Sequence, residues 1–193
     1  MKIKAAIAWF LVVFVTLILP TSAAPGAKGK NEVFSALAQI PVPATTVNVK
    51  IYINGYSTQQ DADRLNATLL KGGPNALLSA LRKMKSLGRI ERDGSVGFYD
   101  FKLILSTRTP QGRHIYAVAD RPIGFLEAYQ STRSRDYPFG ILELDLKGDD
   151  DSESEKGEGT LIYAAKIRVI KGEKIEIENF SFAPIRLLGV RQL

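Results

Sequence analysis

The 193-residue chain has no cysteine and only one histidine. Without cysteine it can form neither a disulfide nor a thiolate metal site. The one histidine, His114, lies in an alternating strand pattern that is typical of a surface position, and it has no second histidine to share a metal. The sequence also lacks a Gly-x-Ser-x-Gly nucleophile elbow and a phosphate-binding loop. We therefore predict no catalytic residue, no metal site and no cofactor.

The chain also has only a small excess of positive over negative charge. The chain has 26 Lys and Arg against 20 Asp and Glu, a formal net charge of +6. The basic residues are dispersed among acidic ones, and a nucleic-acid-binding surface would concentrate them. We therefore do not expect nucleic acid as a partner.

Long apolar runs are missing except at the N-terminus, where residues 5–19 carry no charge. Lys2 and Lys4 precede this run, Pro20 ends it, and small residues follow at 21–23. This order is typical of a secretory signal peptide. As a helix the run would span about 22 Å, less than the roughly 30 Å of a bilayer core. We predict a signal peptide at 1–23, cleavage after Ala23, and a periplasmic or extracellular protein. The alternative is an uncleaved anchor, the only case in which we expect membrane contact.

Residues 24–46 contain three prolines and two glycines around a short apolar patch at 33–40. This composition predicts a tether with one helical turn at most. The folded part is then one domain, residues 47–193.

The first predicted element of that domain is a strand at 47–53, where apolar and polar residues alternate. Ser57 and Gln60 have the spacing of a capping box, which begins a helix. Gly72 and Gly73 end this helix, and Pro74 suits the first turn of a second helix.

Strand alternation dominates the rest of the chain. It predicts strands at 99–105, 114–119, 142–146, 161–169, 175–178 and 185–190. With the first strand this gives about six to seven antiparallel strands, in which Leu103 and Ile167 point to the buried face. One face is solvated and two helices cover the other, so the predicted fold class is α+β.

The densest polar cluster lies at 120–140. Arginine offers a planar fork for an anion, and aromatic rings offer stacking surface. The predicted ligand-binding residues are Arg121, Arg133, Arg135, Asp136 and Tyr137. In a structural alternative, Arg135 and Asp136 pin the loop by a salt bridge. In a catalytic alternative, Asp136 or Glu127 acts as an acid or base.

A run of acidic residues occupies 149–155. Calcium is an alternative for such a run, but the spacing of an EF-hand loop is missing. We interpret the segment as a solvated hairpin tip.

Four blocks resemble an uncharacterised family of exported bacterial proteins. They are residues 120–123 (DRPI), 133–140 (RSRDYPFG), 164–167 (AAKI) and 175–179 (IEIEN). This resemblance implies export and no particular activity. The order of one strand, two helices and further strands is also similar to helix-grip (START-like) domains, without their C-terminal helix.

Together these patterns favour a non-catalytic binding or interaction domain. The partner is unknown, with a small anionic or amphipathic ligand or an envelope protein as candidates. Two alternatives remain at this point: an enzyme of unrecognised type that uses the 120–137 region, and a structural protein tethered to the envelope.

Overall fold

In the computed structural model, the described residues are 31–41, 44–110, 112–124, 136–147, 156–170, 174–180 and 183–193. These ranges contain nine strands and one helix. In chain order they are β1 (Glu32–Ile40), β2 (Thr45–Ile53), α1 (Gln59–Arg82), β3 (Gly88–Arg92), β4 (Tyr99–Thr109), β5 (Gly112–Ala119), β6 (Phe139–Lys147), β7 (Lys156–Ile170), β8 (Lys174–Asn179) and β9 (Ile185–Gln192).

The sheet closes on itself. Antiparallel pairing runs from β6 through β5, β4, β3, β2 and β1 to β9 and β7, and β7 pairs back with β6. Eight strands therefore form a closed barrel, and β8 is a ninth strand attached to β7. The predicted α+β fold with an open sheet is wrong. Alternation of apolar and polar residues indicates that one face of a strand is buried. It does not distinguish a face covered by helices from a face inside a barrel.

β1 occupies part of the predicted tether. Phe34, Ala36, Ala38 and Ile40 alternate along it and are buried in the barrel interior. The prolines and glycines on either side of this stretch suggested a tether, yet the period of two was already present in the residues between them. The barrel therefore begins at Glu32, upstream of the predicted domain start at residue 47.

A single helix replaces the two predicted ones in the described part of the chain. Thr58 caps it: its hydroxyl accepts from the Asp61 amide at 3.1 Å, and the Asp61 carboxylate accepts from the Thr58 amide at 3.3 Å. The capping box thus lies one residue beyond the predicted one. The backbone of Gly73, at φ 72° and ψ −173°, is not helical; it kinks α1 at the position where the break was predicted, and Pro74 begins the helical segment after the kink, as predicted. No helix among the described residues is long and apolar enough to cross a membrane.

Two apolar clusters hold the fold together. The barrel interior is filled by side chains such as Ile51, Ile90, Ile115, Leu144 and Leu187. The apolar face of α1 forms the second cluster against the outer surface of the barrel. It buries Leu65, Leu69, Leu77 and Leu81 against residues that include Leu103, Phe139 and Ile167.

Irregularities in the strands decide which cluster a side chain joins. The register of β4 shifts between Phe101 and Leu103, so Phe101 points into the barrel and Leu103 lies under the helix. In β7, Tyr163 belongs to the interior and Ile167 to the helix interface. Leu103 and Ile167 are buried as predicted. The prediction that each of these strands has one continuous apolar face is wrong, because a bulge exchanges the two faces.

A buried ion pair lies where β1 and β5 begin. The Arg113 guanidinium donates to both Glu32 carboxylate oxygens, at 3.1 and 3.2 Å. The Tyr56 hydroxyl donates to Glu32 at 2.6 Å and accepts from Arg113 at 3.1 Å. Arg113 is only 8% exposed.

The chain stays attached to the barrel beyond the end of β5. Ile123 is fully buried in the interior cluster, and its amide donates to the Tyr163 carbonyl at 2.8 Å.

Candidate functional site

Three of the five predicted ligand-binding residues can be placed. Arg121, Asp136 and Tyr137 belong to the described part of the chain, whereas Arg133 and Arg135 lie outside the described residues. Glu127 and the acidic run at 149–155 also lie outside them. The proposed salt bridge between Arg135 and Asp136 therefore stays a prediction.

Arg121 lies on an aromatic surface at the start of β4. Its guanidinium carbon is 5.2 Å from the centroid of the Tyr99 ring, and one of its nitrogens donates to the Phe98 carbonyl at 3.5 Å. A second arginine, Arg89, lies 4.3 Å from the Tyr52 ring centroid and 5.5 Å from that of Phe98. Cation–π contacts of this kind hold the arginines against the protein. A shallow depression of about 140 Å³ lies beside them, lined by residues 95–99 and Arg121.

Tyr137 makes a different set of contacts. Its hydroxyl donates to the Glu178 carboxylate, and its ring meets the Phe180 ring edge-on with centroids 5.3 Å apart. The Lys166 ammonium lies 5.8 Å from the Tyr137 centroid. The hydrogen bond to Glu178, followed by burial, raises the pKa of Tyr137. Tyr137 thus packs against β7 and β8, while Arg121 packs against β4. These contacts do not bring the two side chains together around one ligand.

Tyr137 leads to a feature that the sequence did not predict, which we call the β7–β8 ribbon (residues 166–170 and 174–178). The pairing of β7 with β6 ends at Ala165, and its pairing with β9 ends at Leu161. Beyond Ala165, the described strand that pairs with β7 is β8 alone. A two-stranded segment therefore extends past the barrel.

The base of the ribbon is well anchored. Ile167 is buried under α1, and Ile177 packs against the same cluster. On the opposite face, Arg168 forms an ion pair with Glu178, which also accepts the Tyr137 hydroxyl. Contacts on both faces fix the direction in which the ribbon projects.

Aliphatic side chains are exposed farther along the ribbon. Val169 is 38% exposed, Ile170 44% and Ile175 43%. Val169 and Ile175 are cross-strand partners, next to the pair Ile167 and Ile177. One apolar face thus continues from beneath the helix into solvent. A two-stranded ribbon is marginally stable alone, and grouped exposed aliphatics commonly mark an interaction site.

Titratable groups also gather on the outer face of β5 and β6. His114 Nδ1 lies 2.7 Å from Asp145 Oδ1. Burial raises the pKa of the nearby Glu143; the charge of His114 lowers it, and that of Asp145 raises it. Burial also raises the pKa of Tyr116. Across the described ranges, no three His, Asp or Glu side chains are placed to hold a metal ion.

The ribbon residues carried a signal in the sequence. Turns are usually polar, and Val169, Ile170 and Ile175 lie close to residues 171–173 (KGE), for which the sequence predicts a turn. Alternation showed that these residues form strands, but it could not show that the strands leave the barrel. Comparison of the chain with protein-family models, curated proteins and solved structures finds no match.

Proposed function

We propose that this chain is an exported, non-catalytic binding domain that holds a protein partner on the β7–β8 ribbon. The observation that carries the proposal is the exposed group of Val169, Ile170 and Ile175 on a segment that projects from the barrel. The N-terminal pattern of residues 1–23 supports export.

The barrel interior supports an external binding surface. Its side chains are closely packed, and Phe34, Phe101 and Ile104 in it have no exposed surface. Eight-stranded barrels are either filled by their own side chains or hold one small ligand, and the buried aromatic and aliphatic side chains of this barrel correspond to the filled kind. A partner is therefore expected on the outside.

Among the external surfaces, the ribbon fits a protein partner better than the surface around Arg121. In the latter, Arg121 and Arg89 are already held against aromatic rings, and Phe98 is partly covered by Arg89. On the ribbon, the pairs Ile167–Ile177 and Val169–Ile175 form a continuous aliphatic face that ends in solvent, and Ile170 is exposed on the opposite face at the end of β7. Burying such a face is the main favourable term in most protein–protein association.

Site-specific photo-crosslinking tests the proposal in the producing cell. Ile170, the last residue of β7, is replaced by p-benzoylphenylalanine in the full chain. The control position is Val96, an exposed aliphatic residue between β3 and β4. We expect one adduct of defined mass from position 170 and none from position 96. The adduct should disappear when Val169→Thr and Ile175→Thr are combined, since threonine keeps β propensity but removes apolar surface.

The thermal midpoint of the threonine variant provides the folding control. Both positions are more than one-third exposed, so the midpoint should change little. No adduct from position 170, or equal adducts from positions 170 and 96, would contradict the proposed function.

A further inference from the structure

β8 has an open edge. It pairs with β7 along its length, and no other described strand pairs with its second edge. Within the barrel, in contrast, each of the eight strands has a neighbour on either side; the part of β7 beyond Ala165 pairs, among the described strands, with β8 alone. An open edge presents backbone N–H and C=O groups to which an extended segment can add as a further strand.

One face of β8 is aliphatic. Ile175 lies opposite Val169, and Ile177 lies opposite Ile167. Ile175 is 43% exposed although Val169 is beside it. A strand added to the open edge would extend this face and would place its own side chains beside the two isoleucines. Aliphatic residues at every second position would cover them.

The other face of β8 is acidic. Glu176 and Glu178 point to it together with Lys174 at the start of the strand, so its net charge is negative, and the cross-strand partners of the two glutamates on β7 are Arg168 and Lys166. Arg168 also forms an ion pair with Glu178 diagonally. β7 therefore supplies one side of β8 with alternating basic and aliphatic residues. A strand on the second side meets the same two faces, so the same alternation suits it.

We propose that the open edge of β8 binds, by strand addition, an extended segment of a partner protein in which lysine or arginine alternates with aliphatic residues. This inference rests on the proposed function, because it specifies the chemistry of the partner that the ribbon holds. The backbone groups of β8 supply affinity, and Glu176 and Glu178 select the charge of the partner.

A second copy of the chain is the competing occupant of this edge. In an antiparallel pair of β8 strands centred on Glu176, the two Glu176 side chains would be neighbours, which is destabilising, whereas Lys174 of each copy would lie beside Glu178 of the other. A strand that is basic at each of these positions meets two glutamates for every lysine, and the oligomeric state of the chain is measured alongside peptide binding.

Fluorescence anisotropy tests the proposal with a synthetic probe. The probe is a fluorescein-labelled peptide of about seven residues, close to the usual length of a strand, in which valine and lysine alternate. A valine–glutamate peptide is the charge control. Two N-methylated probes, one modified at every valine and one at every lysine, test backbone pairing, because alternate amides of a strand point to opposite edges.

Charge reversal is made at Glu176, because Glu178 also holds Tyr137 and Arg168. Glu176→Lys should weaken binding of the valine–lysine peptide by roughly tenfold and strengthen that of the valine–glutamate peptide. Glu158→Lys changes the net charge equally at an exposed position on the barrel, and it should leave both affinities unchanged. Of the two methylated probes, one should lose binding and the other should keep it.

Three results would overturn the inference. They are no saturable binding of the valine–lysine peptide, equal binding of both methylated probes, and sedimentation of the full chain as a dimer that does not bind the peptide. The photo-crosslink at position 170 does not depend on the peptide. If the adduct forms but the peptide does not bind, the proposed function stands and strand addition is contradicted. If the peptide binds but no adduct forms, only the proposed function is contradicted.

Discussion

Replacing Arg113 by methionine should destabilise the barrel strongly. Arg113 donates to both oxygens of Glu32, and the two side chains are 9% and 13% exposed. Methionine keeps the aliphatic part of the side chain but removes the charge, so the Glu32 carboxylate is left in a largely dry site. Removing one partner of a buried ion pair costs about 3–5 kcal/mol. For a domain of this size, that loss lowers the melting temperature by roughly 6–20 °C.

Urea unfolding, followed by circular dichroism at neutral pH, measures this loss as a change in midpoint at constant slope. The same substitution at an exposed pair is the control. Arg64, which lies 2.9 Å from Asp61 and is 63% exposed, should lose less than about 1 kcal/mol when replaced by methionine.

A compensating variant separates loss of charge pairing from loss of packing. Combining Arg113→Met with Glu32→Leu and Tyr56→Phe removes all three of the polar side chains described in this network. Replacing a whole buried ionic group by apolar residues is often neutral or stabilising, so most of the lost stability should return. If Arg113→Met alone costs less than about 1 kcal/mol, or if the triple variant is less stable than the single one, the reasoning about a desolvated pair is refuted.

Four further predictions concern three substitutions and the processing of the N-terminus. Leu103→Ala, at 8% exposure beneath α1, should cost about 2–5 kcal/mol of unfolding free energy, against less than about 0.5 kcal/mol for Lys102→Ala; equal midpoints would contradict this. Gly73→Ala should cost about 1–3 kcal/mol, because φ 72° with ψ −173° is accessible essentially to glycine alone; unchanged stability would mean that the kink can relax. Burial raises the pKa of Glu143 above its ordinary value near 4.5, so ionisation of Glu143 destabilises the folded state, and Glu143→Gln should raise the melting temperature near pH 7 by an amount that disappears as the pH falls below that ordinary value. Intact-mass analysis of exported material should give a chain that begins at Ala24, and retention of residues 1–23 would support the anchor.

Alternation was enough to place most strands. Leu142, Leu144 and Leu146 repeat every second residue and all point into the barrel. The strands predicted at 99–105 and 114–119 follow each other closely in the sequence, and the structure pairs them as β4 and β5. A strand with one buried face shows this alternation of apolar and polar residues in its own sequence.

Closure of the barrel has no such local signature. Whether Leu187 faces other strands across an interior or faces a covering helix depends on residues far away in the chain. Short β3 was also missed, since Arg89 and Glu91 leave only Ile90 as a fully buried apolar residue in it. Bulges are equally non-local: nothing in the sequence around Phe101 shows that the strand changes face there.

The candidate site was predicted only in fragments. Arg121 and Tyr137 were chosen because arginine and aromatic residues bind ligands, but the structure engages them with Tyr99 and Glu178 of the same chain. The ribbon was missed because the sequence does not show which apolar residues of a strand remain exposed to solvent. Ile175 and Ile177 look alike in sequence, and their difference arises from how far the helix reaches over them.

The position of β9 constrains the order in which the chain can mature. β9 ends one residue before the last residue of the chain, and it pairs with β1, the first described strand, and with β7. Until β9 arrives, β1 and β7 both lack a neighbour, and their inward side chains have no closed interior to fill. In a chain that folds as it emerges from its N-terminal side, the barrel therefore stays open until β9 has paired with both strands. Removing β9 would leave β1 and β7 each without a neighbour on one side, so strands far apart in the chain are needed together to close the barrel.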